Sequence, residues 1–370
     1  MPHCQTGQHR EWIPNIWMGG DVFGWLRMLR HNRYAIAPRY VHWAALISLH
    51  TVYNTLLSVL QERIWGGRIR ETEIVLDPVF ILGHWRSGTT WLHELLTLDP
   101  RHTYPTTYAC IFPGHFLLTE WYIPRLLRFI TPARRPMDNM ALAWERPQED
   151  EFALCNLGQP SPYLTFAFPN HPPQYPEYFD LETVPPEARQ QWKHALLHFL
   201  KQLTLRQPKR LVLKSPTHTY RIKVLLELFP QARFVHIVRN PYVVMPSTMH
   251  TWRTLYRVFG LQRPTFAGLE QQVFHNYLHM FNKLEETRGL VEPWRFYELR
   301  YEDLVQDPIG QVCAIYDRLK LGDVAQVLPQ LQQYVADTAR YQTNRYTLSP
   351  ALRDTIRQRL GQVMRRYGYE

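Results

Sequence analysis

The chain has 370 residues, 45% hydrophobic and 20% charged, with a formal net charge of +10. That balance excludes a disordered chain and fits one large α/β domain with insertions, or two smaller domains. The positive excess fits an anionic ligand, an acidic membrane face or nucleic acid, and equally a solvated basic surface.

MPHCQTGQHREW at the start has no apolar run and no small-residue cleavage site, so no secretory leader is expected. Residues 20–70 read as helical and aromatic-rich, ending at the turn signal Gly66-Gly67. Within them, 43–60 is about as long as a membrane span but carries His50, Thr51, Asn54 and Thr55. A buried or amphipathic helix is therefore expected. Arg27, Arg30, Arg33, Arg39, Arg63, Arg68 and Arg70 nearby keep open peripheral contact with an anionic membrane. Cys4, Cys110, Cys155 and Cys313 are far apart with no C-x-x-C pair, which argues against zinc ribbons and a disulfide framework and for a reducing, cytoplasmic setting.

PVFILG (78–83) reads as a strand buried on both faces, followed by the loop GHWRSGTT and the helical WLHELLTL. RLVLK (210–214), RFVHIVR (233–239) and RFYELRY (295–301) are further strands, each followed by a helical segment. Strands alternating with helices predict an α/β fold with a central parallel sheet flanked by helices. A Pro- and aromatic-rich insertion at about 100–185 reads as a binding wall or as a self-packed cap. The division expected is a helical N-terminal region, 1–70, and one domain over 71–370.

Gly83 and Gly88 bound a loop between strand and helix, where backbone N–H groups and the helix N-terminus can converge on an anion. The glycines have the separation of the triphosphate pattern G-x-x-x-x-G-K-[ST], but Thr89 stands where its lysine would be. Arg86 lies inside the loop, and the second and third strands end in Lys214 and Arg239 rather than in magnesium-binding carboxylates. Ligands of parallel sheets sit at these carboxyl ends. Fixed cations there fit a donor with separated phosphates and no metal. A kinase or nucleotidase, or an inactive membrane-associated nucleotide-binding protein, remain alternatives.

These segments resemble the sulfotransferase family that uses 3′-phosphoadenylyl sulfate (PAPS), and its bacterial branch in particular. WRSGTTW resembles the family's 5′-phosphosulfate loop, which implies that Arg86, Ser87, Gly88, Thr89 and Thr90 bind the donor. HIVRNPYVVMPS resembles its 3′-phosphate motif, with Arg239 followed eight residues later by Ser247. Trp91 and Tyr301, in LRYEDL, take the places of the aromatics that flank adenine, and Lys214, in LKSP, that of the catalytic lysine. The resemblance implies a P-loop nucleotide-hydrolase-like sulfotransferase fold. Its partners would be PAPS and a small-molecule, lipid or glycan acceptor, not nucleic acid. The late R-K-G triplet of cytosolic members is missing; Arg340 or Arg345 are substitutes to test.

Sulfuryl transfer needs charge stabilisation, for which Lys214 and Arg86 are the candidates, and a general base. The cytosolic branch has a histidine where this chain has Pro216. His218 lies two residues on, and Glu149 and Glu151 sit in RPQEDE, which resembles a motif of the bacterial branch. The alternative for those carboxylates is a solvated helix start. His84 is expected to pack rather than to touch substrate.

Overall fold

Strand formation follows the apolar runs. In a computed structural model describing residues 15–127, 143–338 and 347–370, the strands are β1 (Val79–Leu82), β2 (His102–Thr103), β3 (Arg210–Lys214), β4 (Arg233–Val238) and β5 (Phe296–Arg300). All pair in parallel, in the order β2-β3-β1-β4-β5. β1 is thus central, and the ends of β3 and β4 flank the loop that leaves it. The expected strands are all present; β2, a two-residue edge strand inside the insertion, is an addition.

The helices that matter here are α1 (Val22–His31), α2 (Val41–Glu71), α3 (Thr89–Leu96), α4 (Asp150–Asn156), α5 (Pro186–Arg206), α6 (Pro241–Phe259), α7 (Leu269–Thr287), α8 (Pro308–Leu319) and α9 (Pro350–Arg366). Side chains alternate across a strand, so neighbouring residues feed opposite layers. Val79, Ile81, Val212, Val235 and Ile237 pack with α3 and α8. Phe80, Leu82, Leu213 and Phe234 face the other way, into a larger core shared with Trp25 and Met28 of α1 and Ile47 of α2. The N-terminal helices therefore complete the core of the sheet.

The turn expected at Gly66-Gly67 is not there, because α2 runs on to Glu71. Each glycine costs about 1 kcal/mol relative to alanine in a helix. Burial of Ile69, only 1% exposed, offsets that at about 1.5–3 kcal/mol. The Thr72 N–H closes the end on the Arg68 carbonyl at 2.9 Å. Two buried amides on α2 find acceptors: Asn54 Nδ2 donates to the Met18 carbonyl at 2.7 Å, and Gln61 Nε2 to Gln202 Oε1 at 3.1 Å.

Glu298 of β5 ties the C-terminus to the sheet. Its carboxylate lies 2.8 Å from His236 Nδ1, 3.2 Å from Arg288 Nη1 and 3.2 Å from the Tyr367 hydroxyl. Burial alone would raise its pKa, but the His236 hydrogen bond and Arg288 outweigh that and bring it from 4.5 to about 2. A depressed carboxylate stabilises the fold above its unfolded pKa and loses that contribution as pH falls toward the folded one. The urea midpoint of the native chain is expected to drop between pH 4.5 and 2. Glu298→Gln should flatten that part of the profile.

Candidate active site

The loop from β1 to α3 is built on backbone that L residues seldom adopt: Gly83, Arg86 and Gly88 have φ of 146°, 71° and 105°. The Gly83 N–H donates to Thr219 Oγ1 at 2.8 Å. Ser87, 2% exposed, donates its hydroxyl to the His84 carbonyl at 2.8 Å and so closes the loop on itself. Thr89 is buried and Thr90 half-buried at the start of α3. A Cβ on Gly88 would lie 2.3 Å from Tyr301 Cδ2. Gly88→Ala is therefore expected to cost about 1–3 kcal/mol in urea unfolding, from strain and displacement of Tyr301.

On the β4 side, Arg86 Nε donates to Ser247 Oγ at 3.0 Å, and Arg239 Nη1 to the Arg86 carbonyl at 3.2 Å. The Arg239 guanidinium carbon lies 4.0 Å from the centre of the Tyr301 ring. Two arginines, a serine on the first turns of α6 and an aromatic thus converge beside the loop. Trp91 and Tyr301 meet edge to face, with centroids 6.2 Å apart and planes at 66°, rather than as two parallel walls. Edge-to-face contact suits the opposed charge of ring face and ring edge. Arg340 and Arg345 lie outside the described residues.

On the β3 side, Lys214 Nζ donates to Glu149 Oε1 at 2.8 Å, with the lysine side chain 1% and the glutamate 13% exposed. Glu149 immediately precedes α4, so the insertion supplies a wall at the strand ends. Tyr163 donates its hydroxyl to Glu149 Oε2 at 2.6 Å, and Trp85 Nε1 of the loop donates to that hydroxyl at 3.2 Å. Thr248 of α6 in turn donates to the Trp85 carbonyl at 3.3 Å, so the loop joins the two clusters.

The other two base candidates are differently placed. Glu151, fully buried, accepts from Arg221 Nη1 at 2.5 Å, Thr217 at 2.9 Å and Ser161 at 2.5 Å. His218 Nε2 lies 2.7 Å from Asp150 Oδ2 and is equally buried. Burial would raise the Asp150 pKa, but His218 and Ser215 hold it below the ordinary carboxylate value. This is a buried polar lattice locking α4 to the turn after β3, not a solvated helix start. Among the three, Glu149 is the one that contacts Lys214. His84 packs on Tyr277, centroids 4.6 Å apart, and burial pushes its imidazole down to about 4. Tyr163 and Arg221 carried no motif signal; the aromatic richness of the insertion was the sole hint of the former.

Comparison with known proteins identifies the family and the fold. The model of the Sulfotransferase family matches residues 78–325. The chain is 51% identical over 361 residues to omega-hydroxy-beta-dihydromenaquinone-9 sulfotransferase Stf3 of Mycobacterium tuberculosis (strain CDC 1551 / Oshkosh), spanning 98% of this chain and 93% of that protein. The crystal structure of sulfotransferase STF9 from Mycobacterium avium superposes with a TM-score of 0.68 at 18% identity, covering 89% of this chain and 86% of that one. Sulfotransferase STF1 from Mycobacterium tuberculosis H37Rv gives 0.60 at 16% identity, covering 93% and 94%. The likeness to the Mycobacterium tuberculosis relative, over 98% of this chain, takes in the N-terminal helices as well as the sheet. The chain belongs to the sulfotransferase family and is a transferase enzyme with that family's parallel-sheet fold.

Proposed function

We propose that the chain moves the sulfuryl group of PAPS to the hydroxyl of an apolar, lipid-like acceptor, with fixed protein cations rather than a divalent ion meeting the donor's charge. The observation that carries this reading is the Lys214–Glu149 pair at 2.8 Å, a cation and a carboxylate side by side where the strands end next to the loop. The loop amides and Arg86 would take the 5′-phosphosulfate, Arg239 and Ser247 the 3′-phosphate, and Trp91 and Tyr301 the adenine. In the reaction the acceptor oxygen bonds to sulfur and its proton passes to Glu149. The bond from sulfur to the bridging oxygen breaks, and adenosine 3′,5′-bisphosphate leaves with its charge met by Lys214.

Two features support an apolar acceptor. Tyr163, which holds Glu149, packs against Phe152 at 5.1 Å and Trp85 at 6.0 Å, so the wall beside the carboxylate is aromatic. The Mycobacterium tuberculosis relative is named for a hydroxylated menaquinone, an isoprenoid quinone. The test is transfer of 35S from labelled PAPS to an omega-hydroxylated menaquinone in detergent micelles. Label in the organic extract is expected. Label that stays on PAPS with the quinone but passes to a soluble sugar would overturn the acceptor assignment.

A further inference from the structure

Among the described residues one helix, Pro38–Glu71, is long and apolar enough to cross a membrane by length and composition. Its packing is one-sided. Ile47, Thr51, Asn54, Gln61 and Ile69 enter the protein core. On the opposite face Leu49, Val52, Leu56, Leu60 and Ile64, at the three- and four-residue spacing of one helix face, are 47–69% exposed. Phe23 of α1, 69% exposed, extends this surface where the Val22 N–H meets Thr55 Oγ1 at 3.0 Å. Trp121, 68% exposed, extends it on the other side, next to Tyr122, which lies near Tyr53 of α2.

The charge on these helices is predominantly positive. Residues 22–71 carry seven arginines against two glutamates, Glu62 and Glu71. All seven arginines are exposed. Arg63 and Arg70 follow Leu56 at seven-residue steps, so they continue the apolar stripe at its end. Arg70 is paired with Glu62 at 2.5 Å. A second copy of the chain on this face would set like charges against each other. An anionic bilayer offers acyl chains to the stripe, phosphates to the arginines, and an interface that suits Trp121 and Tyr53.

We infer that α1 and α2 form a docking face on which the protein lies in the interface of an anionic phospholipid bilayer. α2 lies in the plane of the membrane rather than across it, since its other face is core. α1 is also tied to α4. The Asp21 N–H that opens α1 donates to the Asn156 carbonyl at 3.2 Å, at the end of the helix that follows Glu149. The inference rests on the exposed face and its charge, not on the identity of the acceptor.

Flotation of the full chain with phosphatidylcholine vesicles, with and without phosphatidylglycerol, tests it without any substrate. Binding to the anionic vesicles at low salt is expected, at least tenfold weaker on neutral vesicles and weakened by 0.5 M salt. Leu56→Asp with Leu60→Asp should reduce binding at least tenfold while circular dichroism and the melting temperature stay unchanged, because both side chains are exposed. Arg30→Glu with Arg63→Glu should reduce binding to anionic vesicles alone. No binding of the native chain, or equal binding by the Asp variant, would overturn the inference. So would sedimentation showing a native dimer that the Asp variant dissociates, which would assign the face to a second copy.

Discussion

Glu149→Gln is expected to lower kcat by about 10²–10⁴-fold, the range for loss of a positioned general base. Glutamine keeps the shape of the side chain and an oxygen that accepts from Tyr163, so the wall beside Lys214 should stay in place. What is lost is the capacity to take a proton and the negative partner 2.8 Å from the lysine ammonium. The cluster of Arg86, Ser247 and Arg239, proposed to take the donor's phosphates, is formed by other elements. Affinity for adenosine 3′,5′-bisphosphate should therefore change less than threefold, by calorimetry on the same preparation. Turnover with labelled PAPS close to that of the native chain would remove Glu149 from the role of base. Glu151→Gln is the informative companion. Its carboxylate faces Arg221, so the expected loss is in folding stability rather than in kcat.

Arg221→Leu is expected to destabilise the fold by about 3–5 kcal/mol, the cost of leaving a buried charge without its partner. Arg221 and Glu151 are both fully buried, with the guanidinium also donating to the Phe179 carbonyl at 3.0 Å and the Tyr178 carbonyl at 2.6 Å. Leucine would strand one carboxylate and two carbonyls together. Urea unfolding followed by fluorescence checks this. The double variant with Glu151→Leu should recover part of the loss, since the stranded charge goes while the carbonyls remain. A double variant less stable than Arg221→Leu by the full cost of a second mutation would show that the ion pair is not the main contribution.

The two variants separate what local sequence could and could not reveal. β1, β3 and β4 were legible because strands buried on both faces are continuous apolar runs, and the cations Lys214 and Arg239 follow directly at or after their ends. Arg86 was legible from its place in the glycine-bounded loop, and Ser247 through the resemblance of HIVRNPYVVMPS to the 3′-phosphate motif. β2 was not: two residues, His102 and Thr103, leave no periodicity, and the strand exists only because Arg210 and Leu211 offer it an edge. The course of α2 across Gly66-Gly67 is likewise decided by burial of Ile69, a tertiary contact.

Which of Glu149, Glu151 and His218 meets Lys214 depends on how a seven-residue helix docks on the sheet, and that is fixed by partners far away in sequence. Arg221 draws Glu151 inward and Asp150 pairs with His218, which leaves Glu149, just before the helix, toward the strand ends. Tyr163 joins the site through its hydroxyl, shared with Glu149 and Trp85, and through ring packing on Trp85.

The claim that fixed cations rather than a divalent ion hold the donor is tested most directly by calorimetric titration of adenosine 3′,5′-bisphosphate in EDTA, with native chain and Arg239→Ala side by side. The expected result is saturable binding in EDTA that weakens about 10- to 100-fold in the variant, as for loss of a hydrogen bond to a charged group. Binding that appears only with magnesium, or that favours ATP with magnesium over the bisphosphate and ignores Arg239, would contradict it.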